Sequence, residues 1–207
     1  MNSIDNGHPL SNKEKILGAA IELFAQKGYS GVSMREIAAK VNIKAASIYN
    51  HYTGKEALLD AIVNYFRAQL HSEVYPHFEN ENSLNIHTFI QNVVTANVRF
   101  FTNPVYTKIG SIILREQFTN EKVRRMLLEE LIQKPRDAFA SYFSRLMDAG
   151  KMALADPFFA AKEFHAFFIY RFYENSLSPD GPPPDMAKVK QEEDAHIALF
   201  LQVFCAE

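Results

Sequence analysis

Residues 33–55, SMREIAAKVNIKAASIYNHYTGK, gather side chains suited to one kind of chemistry. Arg35, Lys40, Lys44 and Lys55 stand against Glu36 alone, a local charge of +3 on a chain whose net charge is −2. Interleaved with them are Ser47, Tyr49, Asn50 and His51, which hydrogen-bond phosphates or base edges, and Ala45 and Ala46, whose methyls suit thymine methyls. A local positive patch on a mildly acidic chain fits a small DNA-contacting module carried by a larger body. Charge by itself favours a blander reading, a chance cluster on a solvated face, so the case rests on the elements that hold these residues.

Other chemistries find little support. The seven histidines (8, 51, 71, 77, 87, 165 and 196) form no i, i+4 pair, and Cys205 has no cysteine partner. No metal-ligand spacing, dinucleotide fingerprint, phosphate-binding P-loop or nucleophile elbow is present. The expectation is therefore a non-enzyme with no cofactor and no metal. A length of 207 residues, 47% hydrophobic and 22% charged, suits a folded protein with a real core. No run approaches a membrane span, and the opening MNSIDNGHPL lacks the features of a signal peptide, which points to the cytoplasm.

The positioning elements read as helices throughout. Ser11-Asn12-Lys13-Glu14 is a capping box, followed by Ile16, Leu17, Ala20, Ile21, Phe24 and Ala25 at helical spacing, with Gly28 as the stop. Ser33-Met34-Arg35-Glu36 is a second box, with Val32 and Ile37 placed as a hydrophobic staple, and Thr53-Gly54-Lys55-Glu56 is a third. Between the last two, Asn42 is the only good turn residue, and asparagine tolerates the left-handed conformation. This predicts short helices over about 33–40 and 44–51 joined by a tight turn, a helix-turn-helix. Packing Ile37, Ala38, Val41, Ile43 and Ile48 inward leaves Lys44, Ala45, Ser47 and Asn50 outside.

A linker is expected over about 73–82. Helices then follow over about 84–102, 104–117, 120–149 with a break at Pro135, 157–177 and 185–204. Asn103-Pro104 and Asp156-Pro157 each pair a cap with proline at the first helical position. Ser178–Pro184 is expected as a loop.

These segments resemble the tetracycline-repressor (TetR) family of bacterial transcription regulators. The resemblance covers about residues 12–66: ILGAAIELFAQKGY, VSMREIAAKVNI, SIYNHY and KEALL. It implies an all-α protein, with a three-helix DNA-binding domain at 1–70 (motif about 32–51) joined by a fourth helix to a ligand-binding and dimerisation domain at 71–207. It also implies phosphate contacts from Ser33, Tyr49, His51 and Lys55. Three positions depart from the family: Asn42 and Ala46 replace glycine, and Lys44 replaces Ser or Thr. Lys44 is a weak N-cap but adds positive charge at the groove.

In the body, helices 157–177 and 185–204 are apolar on more than one face and need cover on several sides. By resemblance this is a dimerising four-helix bundle, with Phe164, Phe168, Phe172, Ile197, Phe200 and Phe204 expected at the contact. A pocket for a hydrophobic or aromatic inducer is expected among Phe101, Tyr106, Ile109, Ile113, Glu116, Phe139, Tyr142, Phe143 and Met147, where core packing is the competing role. The expected function is a homodimeric repressor that binds a palindromic operator in double-stranded DNA and is released by a small ligand. The alternatives are a ligand-independent regulator whose body takes a protein partner, and a helical interaction protein.

Overall fold

The structure, a computed structural model, describes residues 10–79, 84–177 and 184–205, and every regular element among them is helical. In chain order these are α1 (Asn12–Lys27), α2 (Met34–Lys40), α3 (Ala45–Ile48), α4 (Lys55–Glu73), α5 (Pro76–Glu79), α6 (Ile86–Phe101), α7 (Pro104–Glu116), α8 (Glu121–Met126), a π-helical segment (Leu127–Gln133), α9 (Lys134–Asp148), α10 (Pro157–Leu177) and α11 (Met186–Phe204). The loop expected at 178–184 lies outside the described residues except for Pro184.

Local chemistry sets the boundaries. Both expected capping boxes at the start are formed: Ser11 and Ser33 accept from the backbone of Glu14 and Glu36, whose carboxylates accept from the serine N–H groups at 2.8 Å. Asn42 has φ 56°, so the tight turn runs through the left-handed region as the asparagine suggests. Asn103 caps α7 with Pro104 inside, Asp156 accepts from Phe158 and Phe159, and Asp185 caps α11.

The third box is not formed. The cap of α4 is Gly54, without a side-chain bond. Glu56 turns away instead and lies 3.4 Å from Lys122 of α8. The expected linker is partly helical too. Tyr75 is buried, Phe78 packs on both hydrophobic cores, and α5 forms between them. The break anticipated at Pro135 is a widened π turn just before it. Proline has no N–H to give the preceding turn and clashes with an α-type carbonyl, and the wider turn relieves both.

Two apolar clusters result. One runs from Ile16 and Phe24 of α1 through Ile37 and Ile48, then Leu58, Ile62 and Phe66 of α4, to Ile109 and Ile113 of α7 and Phe172 of α10. The other joins α6, α9, α10 and α11 around Phe89, Phe139, Phe143, Phe164 and Phe200. Helices α7 and α10 approach closely at Gly110, where a Cβ would meet the side chains of Ser176 and Phe172. The helix-turn-helix thus shares a continuous core with the body.

Candidate functional site

α3 is anchored on one side only. Ile48 is fully buried, as is Ile37 on the packing face of α2. The opposite side presents Lys44, Ala45, Ala46, Tyr49, Asn50 and His51 to solvent, with Ser47 half-buried and Arg35 exposed on α2. Tyr49 is 53% exposed. Tyr52 is buried, and its hydroxyl donates to the carbonyl of Lys13 at 3.4 Å, so it packs between helices. Lys44 caps α3 without a side-chain bond, which leaves its ammonium for a partner.

Two expected phosphate contacts have other engagements. The Ser33 hydroxyl donates to the Glu36 carboxylate at 2.9 Å. That carboxyl is held down at about 2 by the Ser33 N–H, then by Lys27 at 3.0 Å. Lys55 points back into its own fold. Its ammonium donates to the carbonyls of Tyr29 at 2.8 Å and Val32 at 3.0 Å, and lies 4.5 Å above the Tyr29 ring. It fastens the loop between α1 and α2 to the start of α4. Sequence motifs carry no sign of this, because the acceptors are backbone atoms some 25 residues earlier.

The surface is tied to the body by specific bonds. Lys108 of α7 meets Glu22 of α1 at 2.6 Å, and Arg115 donates to the carbonyl of Ala25 at 2.7 Å. Lys122 of α8 meets Asp60 of α4 at 2.7 Å. At the far end of α4, Glu73 accepts from the Tyr106 hydroxyl at 2.7 Å, and His71 lies 3.0 Å from Glu130 of the π segment. Glu130 is itself buried and accepts from Lys134 and from the hydroxyl of Tyr75.

The residues expected to line one pocket are not brought together. Tyr106, Ile109 and Ile113 belong to the first core, and Phe139, Tyr142, Phe143 and Met147 to the second. Glu116 sits near the surface and accepts from Thr119. Of the nine, Phe101 and Phe139 alone line the internal cavity of ≈ 30 Å³, beside Glu130 and His165. That is water-sized. His165 is buried with its Nδ1 unpartnered, and burial followed by the nearby Arg136 pushes it down to about 3, so its ring is neutral. A much larger cleft, ≈ 960 Å³, opens between α6 and α11.

The expected dimer contacts are divided as well. Phe164, Phe172 and Phe200 are buried in the protomer's own cores, and Phe168, Ile197 and Phe204 are half-buried against the second. Exposed apolar side chains on α10 and α11 are instead Phe158, Phe159, Tyr170, Tyr173, Leu177, Met186, Leu199 and Val203.

A short helix with one face buried and the other offering a cation, amides and methyls, reached through a left-handed turn, defines a helix-turn-helix DNA-binding transcriptional regulator. Residues 16–62 match the family model described as bacterial regulatory proteins, TetR family, and residues 89–206 match the AefR-like transcriptional repressor, C-terminal domain. The chain belongs to the TetR family.

Among relatives, it is 45% identical over 58 residues to the biofilm operon icaADBC HTH-type negative transcriptional regulator IcaR of Staphylococcus epidermidis. That match covers 26% of this chain and 31% of the relative's length. Two solved structures share the fold across nearly the whole chain. SmeT, repressor of the Stenotrophomonas maltophilia multidrug efflux pump SmeDEF, has TM-score 0.70 at 18% identity, covering 95% of this chain and 92% of that one. AibR, solved with isovaleryl coenzyme A and operator DNA, has TM-score 0.68 at 23% identity, covering 91% and 97%. Among the described residues no helix is long and apolar enough to cross a membrane.

Proposed function

We propose that this regulator is a cytoplasmic homodimeric repressor that binds a palindromic operator and is released by a small hydrophobic ligand, with residues 1–70 as the DNA-binding unit and 71–207 as the regulatory body. The observation that carries the DNA half is the one-sided burial of α3, which leaves Lys44, Ala45, Ala46, Ser47, Asn50 and His51 for the major groove. Arg35 and Tyr49 reach the flanking phosphates. Ser33 contributes at most its end of α2, and the free N–H groups at the start of α4 take over the anion-binding role first expected of Lys55.

Two-fold symmetry follows from the exposed stripe of α10 and α11. Pairing Phe159, Tyr170, Leu177, Leu199 and Val203 with a second copy covers side chains that a monomer leaves in water. Two recognition helices then meet two half-sites about one helical turn apart, roughly 34–36 Å. Ligand release is supported by neighbours solved with ligands, SmeT with triclosan and AibR with isovaleryl coenzyme A, and by the ties that join the body to α1 and α4. A ligand that prefers a different spacing of the two DNA units shifts the population away from the operator-competent form.

Selection of binding sites from random DNA tests the reading. A palindromic consensus, with affinity falling steeply as salt rises, is expected. Binding without preference, or none, overturns it in favour of an interaction protein.

A further inference from the structure

The cleft between α6 and α11 is walled largely by aliphatic side chains and holds one carboxyl that no described residue hydrogen-bonds or pairs with. Ile90, Val94 and Val98 of α6 face Val189, Ile197 and Leu201 of α11 across ≈ 960 Å³, within the range that holds a drug-sized molecule. Glu193 lines the cleft and also borders a smaller void of ≈ 20 Å³ behind it. It is 6% exposed, and it makes no hydrogen bond and no ion pair within 4 Å among the described residues.

Every nearby candidate for its counter-ion is engaged or turned elsewhere. Lys190 is held by Asp194 at 2.8 Å, Arg171 by Glu192 at 2.6 Å, and Arg99 reaches Glu73 of α4 at 3.6 Å. His87, on the α6 side, is the remaining titratable group of the lining, and no carboxylate is bonded to it among the described residues. A carboxyl with so little exposure and no ion-pair partner is costly to ionise, so a cation in the cleft is its chemical complement.

We propose that this cleft binds an amphipathic organic cation, its apolar body between α6 and α11 and its positive centre against Glu193. Charge selects the occupant. An anion meets Glu193 inside and Asp194 at the exposed edge, and gains little from cations that are already paired. A neutral molecule gives Glu193 no counter-charge. The site stays open in the proposed dimer, because Ala195, Leu199 and Val203 lie roughly opposite Ile197 at about 100° per residue. It also reaches α4, since Arg99 in the lining is the partner of Glu73. A positive charge entering beside Arg99 repels its guanidinium and so perturbs that pair. This regulatory consequence rests on the repressor reading above; the binding site does not.

Isothermal titration of the full chain with three probes on one biphenyl frame tests the proposal: biphenyl-4-yl-trimethylammonium, its uncharged isostere 4-tert-butylbiphenyl, and biphenyl-4-carboxylate. The cation is expected to bind at least tenfold more tightly than either of the others. Glu193→Gln is expected to erase that preference and leave the neutral probe within about threefold of its former affinity. Burial pushes the Glu193 carboxyl up to about 7, with Arg171 drawing it down and Asp194 opposing that. The cation's affinity should therefore rise about tenfold from pH 6 to pH 8 in the wild type and stay flat in the variant. Equal binding of cation and isostere, a preference that survives Glu193→Gln, or no binding of any probe overturns the site. Operator binding is read separately with the same probe. Glu193-dependent binding of the cation that leaves DNA affinity unchanged keeps the site and removes its regulatory role. DNA release by a compound insensitive to Glu193→Gln keeps the repressor reading and overturns the assignment of its inducer to this cleft.

Discussion

The ammonium of Lys108 on α7 lies 2.6 Å from the carboxylate of Glu22 on α1, joining the C-terminal body to the first helix across 86 residues of sequence. The Lys108 side chain is mostly buried, so this pair is less screened than an ordinary surface bridge. The two helices thus meet through a charged contact as well as through the core that they share. Lys108→Met is expected to leave the fold intact and to weaken the effect of an inducer on operator affinity. Titrating operator with and without ligand measures this as a change in coupling free energy. An unchanged coupling would separate α7 from the transmission.

Tyr49 and Lys55 are expected to behave differently. Tyr49→Phe removes an exposed hydroxyl, so DNA affinity should fall by a similar factor at every sequence with thermal stability unchanged. Lys55→Met strips the carbonyls of Tyr29 and Val32 of their shared donor and should cost about 1–3 kcal/mol of stability. Urea unfolding monitored by circular dichroism distinguishes the two. A Lys55→Met protein as stable as wild type would restore the simpler role of a phosphate contact.

Sequence preference is expected to reside in Lys44 and Asn50. Asn50→Ala should change the base tolerated at one position of each half-site by roughly 1–3 kcal/mol, read by selection from random DNA. The same consensus from wild type and variant would remove Asn50 from base readout.

On the dimer, the structure moves the informative substitution outward. Leu199→Glu is expected to yield a folded monomer with greatly reduced operator affinity, seen by sedimentation. Phe200→Glu places a charge in the second core, where Phe200 is 5% exposed, and should unfold the protein instead. Sedimentation of Leu199→Glu as an unchanged dimer would overturn the proposed face.

Two buried groups make stability depend on pH in opposite senses. Glu193 has its folded value raised from 4.5 to about 7, so the native state holds the proton more tightly than the unfolded chain. Its effect is a loss of stability as pH rises from about 4.5 to 7. His165 is lowered from 6.5 to about 3, so it removes stability as pH falls through that interval. Thermal melts of Glu193→Gln should match wild type near pH 5 and exceed it at pH 8. A constant offset at all pH values would show that the carboxyl titrates normally.

Much of this arrangement is legible in the chain where the cause is local. The boxes at Ser11 and Ser33, the turn at Asn42 and the proline starts at 104 and 157 all act within four residues, and all appear. The box at Thr53 shares their pattern and does not form: α4 is capped one residue later by Gly54, and Glu56 lies 3.4 Å from Lys122, 66 residues away. The role of Lys55 is hidden for the same reason. The phenylalanines of α10 and α11 plainly demand cover, but hydrophobicity does not say whether the cover comes from the same protomer or another. Phe164 and Phe200 turn inward while Phe159, one turn or so from Phe164, stays exposed. The aromatic residues expected to line one pocket fill two cores instead, since a ring that packs and a ring that lines a cavity have the same composition.

The widened turn at Leu127–Gln133 also sets the phase between the helices on either side of it. A π turn holds one residue more than the α-helical turn it replaces. Removing one residue there would press Pro135 back against an α-type carbonyl and rotate everything beyond it by about 100° relative to what precedes. Glu130 would lose its alignment with His71 and Tyr75, or Phe139 its seat in the second core. The smallest possible length change at this point therefore re-aims half of the regulatory body, whereas the same deletion in a surface loop would pass unnoticed.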